Sequence, residues 1–221
     1  LRDSLQLKHG LLTHAGIMSR IRAKNQEKII EVASLLFAEK GYAATTTAEI
    51  ALRAEIPKPN LYYYFSSKDK LYRAVLESVT QPLLQASLPI EQLEDPQEAL
   101  TQYIRTKLRI SRDHAAASKT FAAEVMAGAP HLPSDIAEAL MDQSKMMLSK
   151  FDRWIEQGWM DPVPVKHLMF MLWSSTQTYA DFNWQICQVS GKYALEDDDF
   201  KDAETFLVGL VLKGCGVKDR Q

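Results

Sequence analysis

Lys58, Asn60 and the run Tyr62-Tyr63-Tyr64 place five hydrogen-bonding side chains within seven residues. A lysine can reach a guanine edge, and an asparagine can reach adenine or a phosphate oxygen. On a helix the three tyrosines fan out by about 100° each, so they cannot all be buried. As surface decoration three adjacent phenols are costly; as phosphate and thymine-methyl contacts they make sense. Leu61 and Phe65, four apart, are expected to face a core. Duplex binding is the chemistry this cluster suits. The bland alternative is a helical hairpin with an aromatic core and solvated lysines.

A second cluster lies at Trp173, Gln177, Asp181 and Trp184, spaced i, i+4, i+8, i+11 and so on one helical stripe. An indole beside an amide and a carboxylate can stack a small planar heterocycle and pair its donor and acceptor edge. A glutamine in an apolar helix needs partners, which a ligand can supply. The same stripe would equally serve a dimer interface, and the spacing leaves both readings open.

Enzymatic constellations are scarce. His9, His14, His114, His131 and His167 are scattered, with no metal-ligand spacing. No glycine-rich phosphate loop occurs, and Ser174-Ser175 lacks a glycine elbow. The acidic run Glu196–Asp199 lacks the glycine of a calcium loop and reads as a helix start. The expectation is no catalytic residues, no metal and no cofactor.

The elements that position these residues are helical. Ile29, Ile30, Val32, Ala33, Leu36 and Phe37 predict a helix over about 25–40, stopped at Gly41. Phe37 and Tyr42 are expected in the core it makes. Thr46-x-x-Glu49 has capping-box spacing for a second, short helix. Ala54-Glu55-Ile56 is a break. Lys58-Pro59 opens the third helix, with Pro59 as its first residue and Lys58 as its N-cap. Two short helices across a tight turn have the spacing of a helix-turn-helix. The next helix is predicted over 69–81, with Pro82, Pro89 and the polar stretch 91–96 as an elbow. Further helices are predicted over 97–111, 115–127, 134–157 (capped by Ser134), 165–189 and 197–214. Residues 1–18 are interrupted by Gly10 and Gly16 and are expected to be a mobile arm. Arg20, Arg22 and Lys24 follow it, either lying along phosphates or merely solvated.

The register Thr46…Ile50-Ala51…Ala54…Leu61-Tyr62-Tyr63-Tyr64-Phe65…Lys68…Leu71 resembles the DNA-binding signature of the TetR (tetracycline repressor) family. Glu55 stands where that signature usually has glycine, and Pro57 where it often has Ser or Thr. A left-handed Glu55 would be strained by about 1 kcal/mol. The resemblance implies DNA contacts at Thr46, Lys58, Pro59, Asn60, Tyr62, Tyr63, Tyr64 and Lys68. Arg112-Asp113-His114, Phe121…Glu124, Gly128-Ala129-Pro130 and the run from Trp173 to Phe182 are similar to the pyrimidine-utilisation repressor branch of that family. That similarity implies a pyrimidine-sized pocket at Trp173 and Gln177, with Tyr179, Asp181 and Glu124 as further ligand-binding candidates.

Composition fits a globular chain: 46% hydrophobic, 24% charged, net charge −2. Residues 1–73 carry 12 Lys/Arg against 7 Asp/Glu, and residues 74–221 carry 14 against 21. A basic head on an acidic body suits a protein that touches phosphate with one end. No apolar run approaches the roughly 18 residues of a membrane helix. Leu11-Leu12 is too short an apolar core for a secretory segment. Cys187 and Cys215 are expected to be reduced thiols, and the protein cytoplasmic.

The expectation is thus an all-α protein: an arm over 1–18, a three-helix helix-turn-helix domain over 19–68, and a ligand-binding and dimerisation domain over 69–221. Its expected function is regulation of transcription, most simply repression, at a double-stranded operator. The expected assembly is a homodimer through the last two helices, answering to a small planar effector such as a pyrimidine. The alternatives are a regulator of the same fold sensing a larger apolar ligand, and a helical enzyme acting on a small amide.

Overall fold

The computed structural model describes residues 2–218, with side chains from 19 onward. The arm expected over 1–18 concerns residues whose side chains lie outside that description. Among the described residues every regular element is a helix: α1 Arg2–Ala44, α2 Thr47–Arg53, α3 Lys58–Tyr64, α4 Lys68–Ala86, α5 Leu88–Gln92, α6 Pro96–Asp113, α7 Ala115–Met126, α8 Ser134–Glu156, α9 Val165–Asp181, α10 Asn183–Ser190 and α11 Asp197–Gly214. The chain divides into two compact units, Leu1–Val75 and Leu76–Gln221. The division falls inside α4, a turn or two beyond the 68/69 boundary expected from the sequence. One helix therefore belongs to both units.

The first unit is built on the apolar stripe of α1. Ile29, Ala33, Leu36 and Phe37 are buried, as are Ile50, Ala51 and Ala54 at α2 and Leu61 and Phe65 at α3. Gly41 breaks α1, as its position predicts: φ 77°, ψ 170° is a conformation an L side chain resists. Thr45, fully buried just beyond, donates to the carbonyls of Leu36 (3.1 Å) and Gly41 (2.8 Å), closing that bend. Phe37, Tyr42 and Tyr72 pack edge-on, with Tyr72 4.9 Å from Phe37 and 4.7 Å from Tyr42.

In the second unit α6 is the hub, packing against α5, α7, α9 and α11. Leu100, Tyr103, Ile104 and Leu108 of α6 are buried with Phe151 and Trp154 of α8, Leu172 of α9, and Leu207 and Val211 of α11. Asp95 caps α6 by accepting the Gln97 amide at 3.0 Å.

Several boundaries differ from the sequence reading: α1 runs from Arg2 to Ala44 rather than over about 25–40, and the short α5 stands inside the predicted elbow. The helix predicted to stop at Gln81 runs through Pro82 to Ala86. Proline removes one rung of the ladder, and the burial of Val79, Leu83 and Ala86 offsets that loss. Ser134 is not the cap of α8; Pro133 holds that position, with no side-chain bond. The helix predicted over 165–189 is two, parted at Phe182 (φ −108°, ψ 26°). Asp181 and Asn183 flank that residue, and both are poor helix formers. A further difference, at α3, belongs to the DNA-facing turn.

Candidate nucleic-acid interface and effector site

The turn between α2 and α3 begins at Thr46, whose hydroxyl caps α2 by accepting the Glu49 amide at 3.2 Å. Only this half of the predicted capping box forms, because the Glu49 carboxylate pairs with Lys40 instead. At the other end Glu55 sits at φ 58°. Its amide donates to Leu52 O at 3.1 Å, and the Ile56 amide donates to Ala51 O at 3.0 Å. This reciprocal pair is a Schellman closure, which requires a left-handed residue where glycine is usual. Glu55 meets that requirement at a strain of about 1 kcal/mol.

α3 starts one residue earlier than predicted. Pro57, at φ −58° and ψ 136°, is the N-cap, and its carbonyl accepts the Asn60 amide at 2.8 Å. Lys58 is therefore the first helical residue rather than the cap, and Pro59 the second, where a missing N–H costs nothing.

Leu61 and Phe65 are buried while Lys58, Pro59, Asn60, Tyr62 and Tyr63 are exposed, so α3 shows water one continuous polar and aromatic face. Tyr63 is 67% exposed and Tyr62 43%. Tyr62 Oη lies 3.0 Å from Thr47 Oγ1. The guanidinium of Arg22 is 5.3 Å from the centre of the Tyr63 ring, and Lys58 Nζ is 6.0 Å from that of Tyr62. The other three candidates are tied inward. Tyr64 accepts from Asn25 Nδ2 at 3.1 Å. Lys68 Nζ donates to Ala43 O at 3.3 Å and lies 4.2 Å from the centre of the Tyr42 ring. Thr46 is spent on its cap.

Trp173, Gln177 and Asp181 come together in the second unit. Gln177 Nε2 donates to Asp181 Oδ1 at 3.2 Å and approaches Ser118 O at 3.4 Å. The Trp173 indole neighbours Tyr103, a buried phenol whose desolvation raises its pKa. Burial likewise raises the Asp181 carboxyl, opposed by its bond to Gln177 and by the charges of Lys119 and Lys107. Lys107, only 7% exposed, is pushed down to about 8 by desolvation, against the opposing pull of Asp181. The hydroxyl of Ser118, fully buried, has no hydrogen-bond partner among the described residues.

Other candidates are turned elsewhere. Tyr179 packs its ring 5.8 Å from Phe200 of α11. Glu124, buried, accepts the His131 amide and lies 3.4 Å from His131 Nδ1, so it ties α7 to the loop after it. Trp184 lies beyond the break at Phe182 and is 75% exposed. A separate apolar cleft of about 300 Å³ opens between the start of α9 and the end of α11, lined by His167, Met171, Leu210, Val211 and Cys215 among others. Phe170, Phe206 and Leu210 lie exposed on the same two helices.

Comparison with known proteins bears on both units. Residues 29–75 match the family described as "Bacterial regulatory proteins, tetR family", and residues 76–218 match "YcdC-like protein, C-terminal region". The chain belongs to the TetR family. It is similar to the HTH-type transcriptional regulator RutR of Escherichia coli (strain K12), at 33% identity over 208 residues, covering 93% of this chain and 97% of that one. The likeness to the HTH-type transcriptional regulator QacR of Staphylococcus aureus is 47% over 51 residues, 23% of this chain and 27% of that one. Among solved structures, the ketosteroid transcriptional regulator KstR2 of Mycobacterium tuberculosis superposes with a TM-score of 0.67 at 23% identity, covering 88% and 95% of the two chains. AibR in complex with isovaleryl coenzyme A and operator DNA gives 0.63 at 16% identity, covering 84% and 97%. At those identities the superpositions speak for the fold alone.

A TetR-type regulator is all-α, with a helix-turn-helix head and a larger helical body, as the sequence predicts. The chain is thereby a ligand-responsive DNA-binding regulator rather than an enzyme. Family members work on DNA, typically as homodimers with a small-molecule effector. Among the described residues no helix is long and apolar enough to cross a membrane. Tyr103, Lys107 and Ser118 are the residues that sequence reasoning missed. A signal for one was present: Leu100, Tyr103, Ile104, Lys107, Leu108 and Ser111 follow helical spacing, which puts Lys107 on the buried side of α6.

Proposed function

We propose that this protein is a repressor that reads operator DNA through the exposed face of α3 and is regulated by an effector held at Trp173, Gln177 and Asp181. The observation that carries the DNA half is the water-facing pair Tyr62 and Tyr63 beside Lys58 and Asn60. A stable free protein has no reason to leave these rings uncovered unless another surface takes them. On binding, Thr46, Tyr64 and Lys68 share or give up their inward contacts to meet phosphate at the margins of that face, and Pro59 gives van der Waals contact.

The protein acts as a homodimer through α9–α10 and α11, the last two helices expected from the sequence. Phe170, Phe206 and Leu210 supply the apolar surface for that contact. Two heads then address half-sites about one turn of DNA, roughly 34 Å, or a multiple of it apart. Effector binding changes the tilt of α4, the helix that belongs to both units, and so changes operator affinity. Linkage makes this reciprocal: the factor by which effector alters DNA binding is the factor by which DNA alters effector binding.

Two effector classes compete. The indole, amide and carboxylate of Trp173, Gln177 and Asp181 suit a small planar metabolite such as a pyrimidine. The apolar cleft beside Met171 and Val211 suits a larger apolar ligand. Of two proteins with the same fold, one is a ketosteroid transcriptional regulator and the other, AibR, is seen with isovaleryl coenzyme A, so this fold accommodates the larger class. A thermal-shift panel of pyrimidines, steroids and acyl thioesters separates the two. A true effector at 100 times its dissociation constant stabilises by about 2.7 kcal/mol. Stabilisation by none of the three classes would overturn the effector half of this reading.

A further inference from the structure

Along α1, Arg22, Asn25 and Lys28 stand three apart and so share one stripe. Each touches α3 or the turn before it. The Arg22 guanidinium is 5.3 Å from the centre of the Tyr63 ring, Asn25 Nδ2 donates to Tyr64 Oη at 3.1 Å, and Lys28 Nζ lies 3.4 Å from Glu55 Oε2. We propose that Arg22 and Asn25 are positioning residues for operator binding, fixing the ring planes of Tyr63 and Tyr64 before DNA arrives. The proposal rests on the assignment of α3 to DNA and deepens it.

Little within α3 orients these rings. The helix is seven residues long, its N-cap Pro57 makes no side-chain bond, and Leu61 is its buried residue. Tyr63, 67% exposed, has no packing to choose its rotamer. A solvated tyrosine divides itself among two or three staggered χ1 wells. Tyr63 and Tyr64 meet edge-on, centres 5.2 Å apart and planes at 83°, so a constraint on one limits the other. α1 supplies a constraint at each: a cation over the Tyr63 face and a donor at the Tyr64 rim. Tyr62 is held from α2 instead, with its Oη 3.0 Å from Thr47 Oγ1. The direction of the Asn25 bond matters. Its amide N–H takes the acceptor side of the phenol oxygen, so the phenol hydrogen stays available. A phosphate oxygen only accepts, and can take that hydrogen while Asn25 keeps its hold. Arg22 works through the ring it covers and is not itself the phosphate contact.

A ring free among its rotamers is competent about a half to a third of the time, which weakens apparent affinity about two- to threefold per head. Two heads on one operator square that factor, to about four- to tenfold. The test uses the full-length protein and a duplex that the wild type selects from a random-sequence pool, titrated by fluorescence anisotropy across a salt series. Asn25→Ala should lose about four- to tenfold in affinity, and nothing further in a Tyr64→Phe background, where no hydroxyl remains to be held. Arg22→Gln should lose a similar factor and be silent in a Tyr63→Leu background, and Arg22→Lys should recover part of the loss. Neither Asn25→Ala nor Arg22→Gln should change the slope of affinity against salt, and both should keep wild-type helicity by circular dichroism. An equal loss from Asn25→Ala with and without the Tyr64 hydroxyl, or no loss at all, overturns the inference for Asn25 and leaves α3 on the DNA. A salt slope flattened by about one per head in Arg22→Gln makes Arg22 a phosphate contact and overturns its half. A wild type that selects no duplex overturns both the inference and the reading it rests on, before any variant is made.

Discussion

Replacing Glu55 by glycine should stabilise the head by roughly 0.5–1 kcal/mol. Glu55 is held at φ 58° by the closure of α2. A non-glycine residue there carries roughly 1–2 kcal/mol of strain, which glycine does not. Two terms oppose the gain. Glycine has more freedom to lose from the unfolded chain, about 0.4–1 kcal/mol. Lys28 also loses its contact with Glu55 at 3.4 Å, but side chains 49% and 83% exposed give that pair little weight. Glu55→Ala is the control, since it removes the ion pair and keeps the strain; its effect should stay within a few tenths of a kcal/mol. Tryptophan fluorescence is blind to the head, because Trp154, Trp159, Trp173 and Trp184 all lie beyond residue 75. Hydrogen exchange at Ile50, Leu61 and their neighbours reads the head directly. A gain of 1 kcal/mol slows exchange there about fivefold. Faster exchange in Glu55→Gly than in Glu55→Ala would refute the strain argument.

Other consequences are as direct. Gln177→Leu should abolish the effector response and leave a folded dimer, checked by effector titration and sedimentation; an unchanged titration removes Gln177 from the site. Gly216→Ala should lower the melting temperature, because a Cβ at 216 would stand 2.0 Å from Asp161 Oδ2 and the backbone is at φ 55°. Adding Asp161→Ala should recover the steric part of that loss, and no recovery would contradict the geometry. Lys107 has a folded pKa of about 8, below its unfolded value, so the unfolded chain binds more protons between the two. Stability from this group therefore rises with pH from about 8 into the ordinary lysine range. Lys107→Met should be more stable than wild type at neutral pH, with the advantage shrinking across that window in pH-dependent denaturation.

Local rules were legible where the backbone has one answer. Gly41 ends its helix, Thr46 caps the next, and the acidic run Glu196–Asp199 opens α11, whose span of 197–214 is the predicted one. Tertiary packing decided the rest. Pro82 stays in helix because the residues around it are buried, a fact no propensity records. The break at Phe182 bears no glycine or proline. The stripe of Trp173, Gln177 and Asp181 was readable because one helix carries it. Lys107 and Ser118 join it from two other helices, so only the fold brings them near. Glu124 and Tyr179 came from a family likeness, and their side chains are occupied by His131 and Phe200.

Binding of a palindromic operator duplex across a salt series tests the central assignment most directly, comparing wild type with Lys58→Ala. If α3 lies in the major groove, the wild type binds with an affinity that falls steeply with salt. Lys58→Ala then loses roughly 1–3 kcal/mol, mainly on the cognate sequence. Duplex binding that is absent, or indifferent both to salt and to Lys58, would contradict the assignment of that face to DNA.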